Sequence, residues 1–146
     1  MTSATVSPIE VMKVCRVIAV VGASKNPEKE AHSVPAYLKD HGYRVIPINP
    51  TADQIFGEKA FPSLASMPEE LANEVEAIEV FRPSEELPEV ARQVVELAKK
   101  HHRSYIFWSQ TGLENDQAKL MLGAGGIPFV MNACMRVVHT IVAKGT

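Results

Sequence analysis

The sequence has little of what holds small secreted or metal-dependent domains together. Its 146 residues include only two cysteines, Cys15 and Cys134, which show none of the paired spacings of zinc sites or disulfide frameworks. No stretch reaches the roughly 18 apolar residues that a membrane span requires, and the first eight residues do not resemble a secretory signal. We therefore expect a cytoplasmic protein without a metal site and without a membrane segment.

The chain also lacks a strong excess of charge of either sign. With 15 basic and 17 acidic residues its formal net charge is −2, so no overall field attracts nucleic acid or an acidic membrane. A chain of this length, 46% hydrophobic, can bury roughly two thirds of its unfolded surface in one core. We predict a single ligand-binding domain over residues 1–146, in which residues 1–14 form an N-terminal helix or arm.

The most informative stretch is Val17–Val21 and the turn after it. Five apolar residues, four of them β-branched, lead into Gly22, Ala23 and Ser24, a pattern typical of a buried strand, a tight turn and a helix start. Parallel sheets bind ligands beyond the carboxyl ends of their strands, and the N–H groups at a helix start favour a phosphate. The same residues would also serve as a plain connecting turn, so the motif alone leaves both interpretations open.

Strand and helix patterns alternate along the rest of the chain. Predicted strands cover residues 17–21, 43–48, 75–81, 105–108 and 127–131, and predicted helices cover residues 7–14, 33–42, 84–100, 113–122 and 135–142. The alternation predicts an α/β fold, a Rossmann-like doubly wound parallel sheet of about five strands with helices on both faces. The simplest strand order is 3-2-1-4-5. Between residues 51 and 74 we expect a loop with a brief extended piece near residues 59–61.

The dinucleotide-binding fingerprint is incomplete. At the positions of G-x-G-x-x-G the chain has Gly22, Ser24 and Pro27, so only the first glycine is kept. The second predicted strand ends in Asn49-Pro50 instead of the acid that would accept hydrogen bonds from the ribose of NAD. The missing carboxylate suits a ribose that itself carries a phosphate.

Three cations are predicted to lie near enough to balance such a phosphate. They are Lys25, Lys29 and Arg44, and each would otherwise be a solvated surface side chain. The sequence leaves both roles open for all three.

Four further side chains have a functional and a structural interpretation. Cys134 follows the fifth predicted strand, where its thiol would either exchange with a ligand thiol or be buried and inert. Trp108 would either stack on a base or pack in the core. His32 and His139 lack a Ser, Cys or Asp partner at a catalytic spacing, which favours structural or surface roles.

Six short segments stand out together. They are residues 20–24 (VVGAS), 27–29 (PEK), 41–50 (HGYRVIPINP), 80–83 (VFRP), 108–112 (WSQTG) and 132–135 (NACM). In this order they resemble the small stand-alone CoA-binding proteins, which are similar to the CoA-binding domain of the succinyl-CoA synthetase α subunit. The resemblance covers about residues 15–140.

The resemblance implies a Rossmann-like domain that binds coenzyme A or an acyl-CoA. It places the pyrophosphate at the turn of Gly22, Ala23 and Ser24, and it implies that the strand ends Asn49-Pro50 and Phe81-Arg82 line the nucleotide cleft. Apart from the resemblance, Gln110, Gly112 and Asn132 follow predicted strands, in loops that border the crevice, so we expect them to contact the ligand too. The catalytic histidine of the synthetase lies in a second domain that this sequence does not include, so that activity is not carried over.

Two main hypotheses of different classes follow. The first is a CoA-binding module without catalysis of its own, whose partner is the small molecule. The alternative is an NAD(P)-dependent oxidoreductase or another nucleotide-binding regulatory protein, although an oxidoreductase needs a proton donor and a second substrate pocket that the sequence does not indicate. The apolar residues 137–142 would pack on the sheet edge or on a second copy, which would make a homodimer.

Overall fold

A computed structural model describes residues 5–145. Its strands are β1 (Val17–Val21), β2 (Arg44–Ile48), β3 (Gln54–Ile55), β4 (Glu58–Lys59), β5 (Ala77–Val80), β6 (Ile106–Ser109) and β7 (Phe129–Val130). Its α-helices are α1 (Pro8–Val14), α2 (Glu30–Asp40), α3 (Glu69–Glu74), α4 (Leu87–His101), α5 (Asp116–Ala124) and α6 (Met135–Gly145). The alternation of strands and helices confirms the predicted α/β class.

Five parallel strands form the central sheet in the order β2-β1-β5-β6-β7. The doubly wound sheet is confirmed, but the predicted order 3-2-1-4-5 is wrong, because the third long strand, β5, pairs with β1. The chain itself occupies the outer edge of β2: the Phe61 N–H donates to the Pro47 carbonyl at 3.0 Å, and the Asn49 N–H donates to the Phe61 carbonyl at 2.9 Å. Because residue 61 occupies the free edge of β2, β5 pairs with the other side of β1.

The segment between β2 and β5 is more regular than the predicted loop. It contains the antiparallel β3–β4 hairpin, a 3₁₀ turn at Leu64–Ser66 and the six-residue helix α3. The extended piece expected near residues 59–61 corresponds to the end of β4 and the Phe61 bridge to Ile48. Helix α3 is too short for a clear apolar period, and it is held by packing through the fully buried Ala72.

Helices cover both faces of the sheet. On one face α3, α4 and α5 pack against residues such as Ile78 and Val80 of β5, and on the other face α1, α2 and α6 pack against residues such as Val20 of β1. Strands buried on both faces explain the nearly continuous apolar runs of the sequence. None of the helices within residues 5–145 is long and apolar enough to cross a membrane.

Helix starts were the least accurate part of the sequence prediction. Helix α2 begins at Glu30, three residues before the predicted Ser33, and Lys29 precedes it without a side-chain cap. Pro35 therefore lies inside the helix and not in its first turn. The start of α1 is as predicted, since the Ser7 hydroxyl accepts a hydrogen bond from the Glu10 N–H at 3.4 Å.

Two leucines of α5 test how this helix packs. Leu122 is fully buried and Leu120 is 76% exposed. We expect Leu122→Ala to lower the free energy of unfolding by about 3 kcal/mol, because the substitution leaves a cavity, and Leu120→Ala to change it by less than about 0.5 kcal/mol. Urea unfolding of both variants measures the difference, and equal losses would contradict the packing described here.

Candidate functional site

The exit loops of the five parallel strands meet at one edge of the sheet. They comprise residues 22–29, 49–53, 81–83, 110–115 and 131–134. The chain leaves β1 toward β2 on one side and returns to β5 on the other, so the strand order reverses between β1 and β5. Open α/β sheets form their ligand crevice at such a switch point. This crevice is the candidate site.

Gly22 is the point where two of these loops touch. Its φ of +84° lies in the left-handed region, and its N–H donates to the Ile48 carbonyl at 3.2 Å. A Cβ atom at this position would lie 2.7 Å from the Phe81 carbonyl oxygen and 3.0 Å from Cδ of Arg82. Only glycine satisfies both the backbone angle and this close approach. The structure thus brings together the predicted site residues Gly22, Phe81 and Arg82.

Hydrogen bonds hold the following loop against the first turn of α2. The Ser24 N–H donates to the Ala31 carbonyl at 3.2 Å, and Nδ1 of His32 donates to the Ser24 carbonyl at 2.7 Å. The Ala31 carbonyl is available because its normal helical donor would be the N–H of residue 35, which is a proline. The Ser24 hydroxyl in turn accepts from the Asn26 N–H at 3.1 Å. The turn is therefore built as one unit with α2, and His32 has a structural role in it.

Several donors of this unit have no acceptor among residues 5–145. They are the backbone N–H groups of Ala23, Lys25, Glu30 and Ala31. Free N–H groups at the start of a helix carry a partial positive charge that attracts anions. Lys25 and Lys29 add two exposed ammonium groups, for which the described part of the chain shows no ion pair. This corner of the crevice is suited to an anion.

Asn49 connects the loops after β1 and β2. Its Nδ2 donates to the Ala23 carbonyl at 2.9 Å, and its Oδ1 accepts from the N–H groups of Thr51 and Ala52 at 2.9 and 3.0 Å. Pro50 is exposed beside it. Since both ends of the Asn49 amide are engaged within the protein, this residue positions the loops of the crevice.

Gln110 reaches across the crevice from the end of β6. Its Nε2 donates to Oε2 of Glu30, in the first turn of α2, at 2.8 Å. The side chain is only 4% exposed, and its Oε1 has no hydrogen-bond partner within the described residues. A buried acceptor of this kind suits a donor supplied by a ligand.

The loops after β5, β6 and β7 are also tied to one another. The Gly112 N–H donates to Oδ1 of Asn132 at 2.6 Å, and Asn132 itself has a φ of +61°. Ser84 accepts from the Glu114 N–H at 3.1 Å through its hydroxyl and from Asn115 Nδ2 at 3.1 Å through its carbonyl. The α-helix predicted from residue 84 begins only at Leu87, after a 3₁₀ turn over Ser84–Glu86.

Arg44 does not belong to the site. It begins β2, at the amino edge of the sheet, and forms an ion pair with Glu74. The prediction that Arg44 lies near a ligand phosphate is therefore wrong, because the crevice lies at the opposite edge of the sheet, and its role as a surface cation is the one that fits. Arg82 does lie at the crevice, where Nη2 pairs with Oε1 of Glu86 at 2.8 Å.

Two of the side chains with two interpretations, Trp108 and Cys134, lie in the core, and His139 is half-buried beside it. Trp108 is fully buried and donates through Nε1 to the Ala133 carbonyl at 2.8 Å. Cys134 is a free thiol, 8% exposed, in the same apolar layer. His139 shares a hydrogen bond of 2.8 Å with the Tyr37 hydroxyl, and burial is the main cause that lowers its pKa.

Glu79 is the residue that sequence reasoning missed. It lies on β5 between Val20 of β1 and Trp108 of β6, it is fully buried, and neither carboxylate oxygen has a partner within residues 5–145. Burial alone raises its pKa to about 8. A single acidic residue inside the apolar strand AIEV was the signal that could have found it. No cluster of three or more metal-ligating side chains occurs in the described residues.

Comparison with known proteins gives a consistent result. A family model described as a CoA binding domain matches residues 16–140. The chain is 37% identical over 132 residues to the uncharacterized protein YneT of Bacillus subtilis, covering 90% of this chain and 91% of YneT. It is 33% identical over 75 residues to the ADP-forming acetate–CoA ligase II of Archaeoglobus fulgidus, covering 50% of this chain and 10% of the ligase.

Solved structures agree with the fold described above. The structure of cell-free ID.343 from Thermus thermophilus superposes with a TM-score of 0.80 at 33% sequence identity. The match covers 94% of this chain and 99% of that one. It supports the single-domain Rossmann-like architecture.

The contact at Gly22 can be tested by a matched pair of substitutions. Gly22 and Gly42 both have positive φ, +84° and +93°, but a Cβ at Gly42 would meet nothing within 4 Å. Each Ala variant should lose about 1–2 kcal/mol from the left-handed backbone, and Gly22→Ala should lose roughly 2 kcal/mol more because the methyl group pushes the loop of Phe81 away. Denaturant unfolding compares them, and equal losses would argue against the close approach of the two loops.

Proposed function

Because this chain belongs to the CoA-binding domain family, we propose that it binds coenzyme A or an acyl-CoA in the crevice between β1 and β5, without catalysing a reaction of its own. The observation that carries the proposal is the unit of the Ser24 turn and α2. In the described part of the chain, four backbone N–H groups of that unit have no acceptor, and they lie next to the exposed Lys25 and Lys29.

The phosphates of the ligand account for that surplus of donors. The pyrophosphate accepts from the N–H groups of Ala23 and of the first turn of α2, where the helix dipole favours negative charge. Lys25 and Lys29 are suited to the 3′-phosphate on the ribose. Asn49 supports this assignment, since its oxygen is already held by the N–H groups of Thr51 and Ala52 and adds no negative charge.

The remainder of the ligand extends along the loops after β5, β6 and β7. Gln110 Oε1 is a buried acceptor without a partner in the described chain, and it suits an amide N–H of the pantetheine arm. Phe81, Arg82, Gly112 and Asn132 form the walls of this part of the crevice. We assign Cys134 a packing role, because a thiol that is 8% exposed would have to be uncovered before it could exchange with CoA.

A binding role fits the side chains that line the crevice. The Ser84 hydroxyl contacts only backbone groups, and the His32 ring contacts the Ser24 carbonyl and the ring of Phe56. Within the described residues no nucleophile of the crevice bonds to a general base, as covalent catalysis would require. We further propose a cytoplasmic location, and a homodimer would form through Val137 and Ile141, which α6 leaves exposed.

Isothermal titration with CoA, dephospho-CoA, NADP and NAD tests the proposal. CoA should bind most tightly, because the ammonium groups of Lys25 and Lys29 contribute only when the 3′-phosphate is present. NAD should bind weakly or not at all, since the end of β2 has no carboxylate for its ribose diol. Tight binding of NAD with no binding of CoA would overturn the assignment.

A pair of substitutions at Ser24 tests the loop itself. Asp and Asn have the same shape, and an oxygen of either one can replace the Ser24 hydroxyl that accepts from Asn26, so the turn is kept. Ser24→Asp should weaken CoA binding at least tenfold, about 1.4 kcal/mol, by adding charge beside the phosphates, whereas Ser24→Asn should stay within about threefold.

The dependence on salt shows whether the difference in affinity between the two Ser24 variants is electrostatic. Screening should reduce the gap between Ser24→Asp and Ser24→Asn as the ionic strength rises, because the crevice is open to solvent. Equal affinities of the two variants for CoA at low salt would remove the loop from the binding site. Asn49→Asp would be a less direct test, since it removes the donor to the Ala23 carbonyl as well as adding charge.

A further inference from the structure

Glu79 lies directly below the crevice. Its register partner on β1 is Val20, two residues before Gly22, so the Glu79 backbone is about 7 Å along the strand from the turn, at 3.3 Å per residue. Its side chain points to the face covered by α1, α2 and α6, because Ile78 and Val80 point to the opposite face. The carboxyl group is therefore enclosed between the sheet and the layer formed by α1, α2 and α6, and α2 is the helix whose first turn forms the anion-binding corner.

Within residues 5–145 no charge compensates an ionised Glu79. On this face the neighbouring strand positions are apolar, Ile18 and Val20 on β1 and Ile106 and Trp108 on β6. The helices that cover this face, α1, α2 and α6, and the residues directly next to them carry the following titratable groups: Glu10, Lys13, Cys15, Glu30, His32, Tyr37, Lys39, Asp40, His41, Cys134, Arg136, His139 and Lys144. None of them shifts the pKa of Glu79, which burial alone raises.

We propose that Glu79 couples proton binding to ligand binding: the protein binds its phosphate-bearing ligand with Glu79 protonated, and ionisation of Glu79 weakens that binding. This inference rests on the proposed function. An ionised carboxylate beneath the turn repels the phosphates through a weakly screened interior, whereas the neutral acid does not. At a separation of about 10 Å and an effective dielectric constant of about 20, one unit charge changes the affinity roughly tenfold.

The sign of the pH dependence follows from the protonation states. Glu79 is neutral below about pH 8, so the affinity is highest there. Above that pH the free protein loses the proton, and a ligand that prefers the neutral form must restore it. Linkage then requires that binding takes up protons and that Kd rises roughly tenfold between about pH 8 and pH 9, levelling off above that range.

Folding stability supplies a readout that needs no ligand. The pKa of Glu79 is raised from 4.5 to about 8 in the folded state. The contribution of this group to the free energy of unfolding is therefore complete below about pH 4.5, and it is lost as the pH rises to about 8. Glu79→Gln keeps the shape but cannot ionise. The variant should therefore gain stability relative to the wild type across this interval, and urea unfolding as a function of pH measures the gain.

The test is titration of CoA into the wild type, Glu79→Gln and Glu85→Gln from about pH 7 to pH 9.5. Glu85 is exposed in the 3₁₀ turn after β5 and controls for the loss of one negative charge near the crevice. We expect Kd to rise roughly tenfold with pH for the wild type and Glu85→Gln and to rise less for Glu79→Gln. Ionisation of the ligand itself affects all three proteins alike, so it cancels. Titration in two buffers of different ionisation enthalpy should show proton uptake that Glu79→Gln lacks.

The outcomes separate this inference from the proposed function. CoA binding whose pH dependence is the same in the wild type and Glu79→Gln would overturn the coupling and leave CoA binding intact. No binding of CoA by any of the three proteins at about pH 7 would overturn the proposed function and the coupling with it. If Glu79→Gln fails to fold, Glu79→Leu takes its place, since an apolar side chain of similar size also removes the ionisable group.

Discussion

The close approach of Gly22 to the Phe81 carbonyl is the constraint on which the crevice depends. It places the end of β1 against the end of β5, the two strands at which the strand order reverses, with 2.7 Å between the Phe81 oxygen and the position of a Cβ. A side chain here would push the two loops apart. The hydrogen bond from the Gly22 N–H to the Ile48 carbonyl extends the same contact to the end of β2. One residue without a side chain thus aligns three exit loops.

A proline within α2 explains how the turn after Gly22 keeps its shape. Pro35 cannot donate to the Ala31 carbonyl, and the Ser24 N–H takes that place at 3.2 Å. The missing helical bond is thereby used to attach the binding turn to the helix that follows it. Because hydrogen bonds join the turn to the first turn of α2, the remaining N–H groups of the two segments are held in fixed positions relative to one another. The preorganisation lowers the entropy that a bound phosphate would have to remove.

The parts of this molecule that depend on local patterns were predictable. The apolar run of β1 and the small residues after it placed the first strand and the turn at Gly22 correctly. The strand order was not predictable, because it depends on Phe61 occupying the outer edge of β2, and the short extended piece around residues 59–61 carries no sign of the strand with which it pairs. The roles of Asn49 and Ser84 also depend on cross-loop hydrogen bonds, whose partners have no fixed spacing in the sequence. Arg44 was misplaced for a simpler reason: a residue that begins a parallel strand lies at the edge opposite to the one where ligands bind.

Glu79 and Gln110 are buried polar side chains in a core that is otherwise almost entirely apolar. β5 is otherwise a typical buried strand, and an apolar residue in place of Glu79 would remove the energetic penalty of an unpartnered carboxyl group. Gln110 likewise keeps one amide oxygen buried without a partner in the described chain, while its nitrogen is fixed on Glu30. Glu79 lies on β5 and Gln110 directly follows β6, both on one side of the crevice, whereas β1 and β2 on its other side bury only apolar side chains, from Ile18 to Val21 and from Val45 to Ile48. Polar groups that weaken the core are thus concentrated on one side of the crevice, where a bound ligand could satisfy Gln110 directly and would sense Glu79 only through its charge.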